Sequence, residues 1–410
     1  MKKLKTKKIK FSKISEKLFD PKANKGDNHL AEITHFLQSD TEEKNFSKKP
    51  LKNYLNGLTE TIAAEDYYQY DLDIKWDIPF PPPLSPKFEF IDLFAGIGGF
   101  RLAMQKLGGK CVFTSEWDRE AQKTYRANFG EVPFGDITQK ETKDSIPKGF
   151  DVLCAGFPCQ AFSIAGKRAG FKDTRGTLFF DVAEIIKKHK PKAIFLENVK
   201  GLRNHDKGNT LKTILSVLRN DLGYFVPEPQ ILNAKDFGVP QNRERIFIVG
   251  FRKDLKITGF TYPKPIKEKK IFLDIREKDP VATRYYLSTQ YLKTLKDHKA
   301  RHANKGNGFG YEMIPDDGTA NAVVCGGMGR ERNLVFDHRI TNFTPETKIK
   351  GMVNREGVRK MTPREWARLQ GFPDDFKIVV ADASAYKQFG NSVAVPAIQA
   401  TASKILSLLK

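Results

Sequence analysis

The 410-residue chain is poor in cysteine, with only Cys111, Cys154, Cys159 and Cys325. Four cysteines without a C-x-x-C pair exclude a disulfide framework and the usual zinc spacings. Long apolar runs are missing too. No stretch approaches the roughly 18 uncharged residues of a membrane span, so no integral membrane protein is expected. The basic start MKKLKTKKIK has no apolar region behind it, so a secretory signal is not expected either. A reducing cytoplasm is the expected location. Acidic residues are outnumbered, 49 against 70 Lys+Arg, for a formal net charge of +21. Such an excess points to an anionic partner, most often nucleic acid. Apolar residues, at 40%, suffice for a sizeable core and exclude wholesale disorder.

The charge is uneven. Residues 1–25 carry ten lysines against Glu16 and Asp20, and residues 26–87 are net acidic. Residues 252–364 hold 24 Lys+Arg against 13 acids, about half of the whole excess. A solvated surface and a phosphate-facing surface both accommodate such a run. Residues 1–87 read as a separate N-terminal extension. It has a weak helical stretch around Leu51–Ala64, an aromatic cluster Tyr67-Tyr68-Gln69-Tyr70, and a stiff Pro-rich linker at Pro79–Pro86. From residue 88, short apolar strands alternate with amphipathic helices. Strands are expected at Phe88–Phe94, Cys111–Ser115, Phe150–Ala155, Ala193–Leu196 and Arg245–Phe251. Helices are expected at Phe100–Leu107, Arg119–Asn128, Thr177–Lys190 and Leu211–Leu218. This alternation predicts an α/β fold, a mostly parallel Rossmann-like sheet with helices on both faces. After about Asp254 it gives way to short mixed strands, turns and basic residues, a smaller β-rich domain. The expected division is 1–87, 88–254, 255–375, and a C-terminal segment 376–410 completing the first domain. Its last helix, about Ala394–Leu409, would pack back on that domain.

The turn Phe94-Ala95-Gly96-Ile97-Gly98-Gly99 lies between the first strand and its helix, where glycines let a ligand approach the backbone. The dinucleotide fingerprint would need glycine at position 101, which is Arg101. Glu116 ends the second strand, where an acid commonly takes ribose hydroxyls. Asp136, in Gly135-Asp136-Ile137, is placed to serve an adenine amino group, and Trp117 to stack on the adenine. A generic tight turn, two helix caps and a core tryptophan are the plainer alternative. A nucleoside cofactor without a diphosphate fits the missing glycine, and S-adenosylmethionine is the candidate.

The third strand runs into Gly156-Phe157-Pro158-Cys159-Gln160, which puts a thiol at the edge where parallel sheets hold their chemistry. Isolated cysteines are mostly structural, and Cys154 fits that description. Two neighbours favour a reactive Cys159. Glu197 ends the adjacent strand in Glu197-Asn198-Val199. Gln241-Asn242-Arg243-Glu244-Arg245 sets two arginines two residues apart, on one face, able to reach one anionic or carbonyl target. A buried salt bridge for Glu197 and a solvated edge for the arginines remain the alternatives.

These motifs, in this order, resemble the cytosine-C5 DNA methyltransferases over residues 88–410. The glycine turn resembles the family's cofactor motif, Gly156–Gln160 its nucleophile motif, Glu197-Asn198-Val199 its acid motif, and Gln241–Arg245 its arginine motif. Arg364–Pro373 and Gln388–Ser392 resemble the last two, with Trp366 where many members have cysteine. The resemblance implies that Cys159 attacks C6 of a cytosine flipped out of duplex DNA, with Glu197 on N3 and the amine. Arg245 would hold O2, and Arg243 would support the nucleophile loop. It implies S-adenosylmethionine bound by Phe94, Ala95, Gly96, Gly98, Glu116, Trp117, Asp136, Ile137, Pro158, Asn391 and Ser392. The loop Ala161–Thr177, with Ser163, Lys167 and Arg175, would close over DNA.

The basic second domain would then recognise the target. Its loop Cys325–Arg332 brings Gly326, Gly327, Arg330 and Arg332 toward base edges, and arginine is the usual reader of guanine. That loop and Lys305–Tyr311 resemble the HpaII-type branch, which reads CCGG and methylates the inner cytosine. The implied role is the modification half of a type II restriction-modification system: a cytoplasmic, nucleoid-associated monomer, with a cognate endonuclease as functional partner. A transfer-RNA cytosine methyltransferase and a DNA-binding regulator without catalysis are the rivals; a dehydrogenase is disfavoured by Arg101. His298 and His302 read as surface or DNA-contacting groups, and no metal is expected.

Overall fold

The computed structural model describes residues 7–10, 28–38, 72–75, 77–158, 178–326, 329–345 and 351–409. The weak helical stretch at 51–64 and the aromatic cluster at 67–70 lie outside them. In the N-terminal part, β1 (Lys7–Lys10) pairs in parallel with β2 (Leu72–Lys75), and α1 spans His29–Gln38.

The main sheet begins with β3 (Phe88–Leu93). Then come α2 (Gly99–Lys106), β4 (Gly109–Ser115), α3 (Arg119–Phe129), β5 (Val152–Gly156), α4 (Leu178–His189), β6 (Ala193–Val199) and α5 (Asn209–Ser216). β7 (Tyr224–Phe225), β8 (Gln230–Asn233), β9 (Gln241–Asn242) and β10 (Glu244–Arg252) follow. The strand order is β4-β3-β5-β6-β10-β7, with β8 also on β10. β4, β3, β5 and β6 are parallel, as expected, while β10 runs antiparallel to β6, β7 and β8. β3 has neighbours on both sides, so the chain reverses direction across the sheet there. Ligands of open α/β sheets sit in the crevice at that point.

Side-chain alternation explains why helices cover both faces. Phe90, Cys154, Phe195 and Phe247 project to one side, where Phe100, Ala103 and Met104 of α2 pack. Ile91, Leu153, Ile194 and Ile248 project to the other, covered by Val182 and Ile186 of α4 and Ile214 of α5. Each helix has its local signal. Asp118 caps α3 by accepting from the N–H groups of Glu120 and Ala121, and Gly130 ends it at φ 74°.

Beyond β10 the architecture changes. α6 (Thr289–Asn304) starts at Ser288, whose side chain accepts from Tyr291 N. β11 (Met313–Ile314), β13 (Leu334–Phe336) and β14 (Val358–Lys360) form a small mixed sheet, and β12 (Ala320–Asn321) pairs with β9. Leu287, Leu292, Leu295, Leu334 and Val358 make its separate small core. The 16-residue α6 was not expected in a region read as short strands and turns. The chain then returns through α7 (Pro363–Leu369), α8 (Asp382–Asn391) and α9 (Val395–Leu408). Ile398, Ala402 and Ile405 of α9 join the core that holds α2, as expected for the last helix. Trp366 is buried edge-on against Tyr386, a packing role.

The Pro-rich linker is anchored. Phe80 donates its N–H to Asn128 O at 3.0 Å, and its ring meets Phe129 and Phe376. Nor does α1 stand apart, although residues 1–87 read as separate: Ala31 is buried in the sheet's second core, and His35 packs on Phe134.

Candidate active site

The crevice at the C-terminal ends of β3 and β4 is built by glycines and one carboxylate. Gly96 and Gly98 take left-handed φ of 56° and 87°. A Cβ on Gly98 would lie 2.3 Å from the Phe129 ring, and one on Gly99 would lie 2.7 Å from Val393 and 3.0 Å from Ser392 Oγ. The glycines therefore let α3 and the segment before α9 close on the turn. A Cβ on Gly96, by contrast, would meet nothing within 4 Å. Glu116 braces the turn, accepting from Gly96 N at 2.8 Å and from Asp118 N at 2.7 Å. Burial raises its pKa, opposed by those N–H groups. Trp117 is 74% exposed beside it, so it is not the core residue of the plainer reading.

Asp136 follows a segment tied to β4: Phe134 N donates to Thr114 O and Glu116 N to Phe134 O, both at 2.8 Å. Its carboxylate accepts from Thr138 N at 2.9 Å, a turn-capping bond that leaves the other oxygen available. Ile137 is buried beneath it and Phe94 is half-buried. Arg101, at the position of the missing third glycine, is wholly buried. It donates to Tyr125 Oη at 2.9 Å and Gln38 Oε1 at 3.0 Å, and pairs with Glu131 at 2.9 Å. A buried Asp92 lies below the turn. Burial drives its carboxyl well above the usual range, against the charge of Arg101. Asp92 is outside the expected site residues, and its only signal in the sequence is a carboxylate inside an apolar strand.

The second group of residues lies at the ends of β5, β6 and β10. Gly156 pairs with Glu197, and Glu197 with Phe247, so the carboxyl group faces the edge that leads to Pro158. Glu197 is 7% exposed and meets Arg245 Nε at 3.1 Å. Burial raises its pKa, with Arg245 and then Arg243 opposing. Asn198 Nδ2 donates to Phe157 O at 2.8 Å and fixes the turn that leads to Pro158. Pro158 is exposed. Cys159, Ser163, Lys167 and Arg175 lie outside the described residues, as does Gly327.

The two arginines do not share one target. Arg245 turns to Glu197, whereas Arg243 is buried and donates to Val323 O at 2.7 Å, Gly390 O at 3.0 Å and Ser392 O at 2.6 Å. Arg243 precedes β10 and is not held in its alternation, so the same-face argument does not apply to it. Burial and the nearby Arg245 both lower its pKa. Its bonds join Val323, just before the Cys325 loop, to the segment carrying Asn391 and Ser392. Two glutamines outside the expected set complete this junction. Gln241 donates to Leu369 O at 2.8 Å and accepts from Val323 N at 3.0 Å; Gln370 donates to Phe389 O at 2.7 Å. Neither has a local signal: Gln241 opens the polar run Gln241–Arg245, and Gln370 stands two residues after Arg368. Asn391 is exposed, and its Oδ1 accepts from the Cys325 thiol at 2.7 Å.

In the loop that follows Cys325, Gly326 takes φ 91° and Arg330 lies over the Tyr386 ring at 5.4 Å. Arg332 pairs with Glu312 at 3.3 Å while staying largely exposed. The rings of His298 and His302 lie tilted against each other with centroids 4.4 Å apart, and His302 meets Asn307 at 2.7 Å. Among the described residues no cluster of three metal-ligating side chains occurs, and no helix is long and apolar enough to cross a membrane.

A mostly parallel sheet covered on both faces, with a glycine turn after its first strand, is a Rossmann-like α/β fold. The C-5 cytosine-specific DNA methylase family profile matches residues 88–407, and the chain belongs to that family. It is a DNA (cytosine-5)-methyltransferase. It is 71% identical over 352 residues to the type II methyltransferase M.HpaII of Haemophilus parainfluenzae, covering 86% of this chain and 98% of that one. It is 43% identical over 332 residues to M.HhaI of Haemophilus parahaemolyticus, covering 78% and 94%. Among solved structures, the S. pombe Dnmt2 methyltransferase superposes with a TM-score of 0.58 at 18% identity, covering 79% and 99%, a likeness of fold.

Proposed function

We propose that this enzyme methylates the inner cytosine of CCGG in duplex DNA with S-adenosylmethionine as methyl donor, as the modification half of a type II restriction-modification system. The observation carrying the chemistry is the buried Glu197 beside Arg245 at the edge leading to Pro158. The specificity rests on the 71% identity to M.HpaII, a match spanning 98% of that protein.

The crevice fits the cofactor. Open space over Gly96 leaves room for its chain, Glu116 offers a carboxylate to ribose hydroxyls, and exposed Trp117 offers a face to adenine. Asp136 and Ile137 would flank the adenine, with Phe94, Ala95, Gly98, Pro158, Asn391 and Ser392 completing the wall. S-adenosylmethionine supplies an electrophilic methyl group. The remaining chemistry belongs to the protein. A cytosine must leave the stack before a side chain can reach C6. The Cys159 thiolate adds to C6, and the electron pair of the C5–C6 bond shifts toward C5. Burial favours the protonated form of Glu197, and in that form it donates to N3 and accepts from the exocyclic amine. Arg245 holds O2. Once C5 carries the methyl group, loss of the C5 proton and departure of Cys159 restore the ring. Arg243 acts at one remove, fixing the loop that faces the DNA against Asn391 and Ser392.

Residues 255–375 would form the recognition domain, with Gly326, Gly327, Arg330 and Arg332 toward base edges. The exposed Arg332 can leave Glu312 at little cost, since surface pairs contribute about 0–1 kcal/mol. Ser163, Lys167 and Arg175 would meet phosphates. The protein would act as a cytoplasmic monomer on DNA, with a cognate endonuclease as its functional counterpart. The test is transfer of labelled methyl to matched duplexes carrying CCGG, GCGC, CCWGG, or CCGG already methylated at both inner cytosines. Label on the unmethylated CCGG duplex alone is expected. Label on another duplex overturns the specificity, and label only on transfer RNA overturns the substrate class.

A further inference from the structure

The segment carrying Asp136 and Ile137 is held from two sides. β4 supplies one, through Thr114 and Glu116. The other comes from the N-terminal extension, outside the residues that match the family. Val132 N donates to Thr34 Oγ1 at 3.0 Å, and Gly135 N donates to Asn28 Oδ1 at 3.0 Å. Asn28 Nδ2 in turn donates to Thr142 Oγ1 at 3.1 Å, tying both ends of the loop to one side chain. Two backbone N–H groups of the loop that leads to the adenine side thus find their acceptors on or beside α1.

Below these bonds lies a buried ionic core shared by α1 and the main domain. His35 Nε2 meets Glu131 at 2.8 Å, and His35 Nδ1 lies 2.8 Å from Ala31 O. Both ring nitrogens therefore face oxygen acceptors. Gln38 donates to Phe129 O at 2.7 Å and accepts from Arg101. Arg101 itself ion-pairs with Glu131. Thr34, His35, Gln38, Arg101 and Glu131 are all buried. A surface appendage does not bury Thr34, His35 and Gln38 against the main domain, because each would cost free energy if left unpaired. The network also links the start of the adenine loop, at Glu131, to the helix behind the glycine turn, at Arg101.

We propose that α1 is a positioning element of the cofactor site: Asn28 and Thr34 hold the 132–135 backbone so that Asp136 and Ile137 present the correct face to adenine. This rests on the reading of the crevice as the S-adenosylmethionine site. The cofactor affinity of this enzyme is then set in part by residues outside its family domain. Asn28 and Thr34 touch no substrate; they act through the loop.

The experiment uses the full chain with Asn28→Ala and Thr34→Val combined, and Thr34→Ser alone as the conservative variant that keeps the acceptor. Cofactor binding is measured by calorimetry with S-adenosylmethionine at a temperature where circular dichroism reports every variant folded. The kcat and the KM for duplex are then taken at saturating cofactor. The double variant should bind S-adenosylmethionine about tenfold more weakly, the expected size for one buried and one half-buried acceptor lost from a loop. Its kcat and duplex KM should stay within about twofold of the parent, because nothing at Glu197 has changed. Thr34→Ser should bind like the parent. Unchanged cofactor affinity in the double variant, with or without a lower melting temperature, overturns the proposal. So does a loss that falls equally on duplex KM. A parent enzyme that does not bind S-adenosylmethionine at all overturns the cofactor reading instead.

Discussion

Alanine at Gly96, Gly98 and Gly99 separates ligand contact from packing within one turn. At Gly96, φ is 56° and an added methyl group meets no protein atom within 4 Å. The protein should lose only the left-handed backbone penalty, about 1–2 kcal/mol. That methyl group would stand in the space assigned to the cofactor, so S-adenosylmethionine should bind about 5- to 150-fold more weakly, as overpacking of about 1–3 kcal/mol implies. At Gly98 the same backbone penalty at φ 87° adds to a contact of 2.3 Å with the Phe129 ring. Overpacking on top of backbone strain gives a stability loss of about 2–5 kcal/mol. At Gly99 the clash is with Val393 and Ser392, so about 1–3 kcal/mol is expected, felt in the C-terminal segment. Urea unfolding of the unliganded proteins reads the first quantity and calorimetry with S-adenosylmethionine the second. If Gly96→Ala binds the cofactor like the parent while unfolding as calculated, the ligand does not lie over this turn.

Glu197→Gln keeps shape but cannot pass a proton; kcat should fall about 10²–10⁴-fold with duplex binding retained. A drop below tenfold in single-turnover assays would remove Glu197 from proton transfer. Burial holds the Glu197 proton to higher pH than in a free carboxyl group, and Arg245 opposes this. The rate that needs that proton is lost as pH rises through its pKa, so Arg245→Ala should move the falling limb of kcat/KM upward in pH. A limb at the same pH or lower would contradict the pairing. Arg359 is buried against Asp337 and Glu365, and Arg359→Met should cost about 3–5 kcal/mol in denaturant unfolding by stranding two carboxylates. Burial alone would raise the Asp337 pKa, but bonds from Arg339 and Arg359 hold it well below the usual range. Its share of stability is therefore complete above the unfolded value of about 3.9 and lost as pH falls through the folded one. Asp337→Asn should flatten the acid limb of the stability curve, and an unchanged limb would contradict that.

The alternating segments from Phe88 to Phe251 were legible because each strand is buried on both faces and each helix has an apolar stripe. The predicted ends of those elements lie within a few residues of the observed ones, since glycine and Asp118 mark several of them. The antiparallel β10 could not be read, because a buried strand has the same pattern in either direction. α6 was hidden by its composition: Leu292 and Leu295 are its only wholly buried side chains in 16 residues. α1 was hidden for another reason. Its buried face includes Thr34, His35 and Gln38, whose partners are more than 60 residues away, so local hydrophobicity did not reveal it. The positions of Glu116, Glu197 and Arg245 at strand ends were legible from sequence. Arg243, Gln241 and Gln370 act through carbonyls that only the fold brings near.

The central claim is covalent attack by Cys159 on a flipped cytosine in CCGG. A duplex with 5-fluorocytosine at the inner position tests it most directly, since a C5–F bond cannot release a proton and the adduct cannot resolve. With S-adenosylmethionine present, the account predicts a denaturation-resistant protein–DNA complex whose linked peptide contains Cys159. The complex should carry one added methyl group and be absent from Cys159→Ala. A protein that methylates ordinary CCGG duplex yet forms no such complex, or forms it through another residue, would contradict the account.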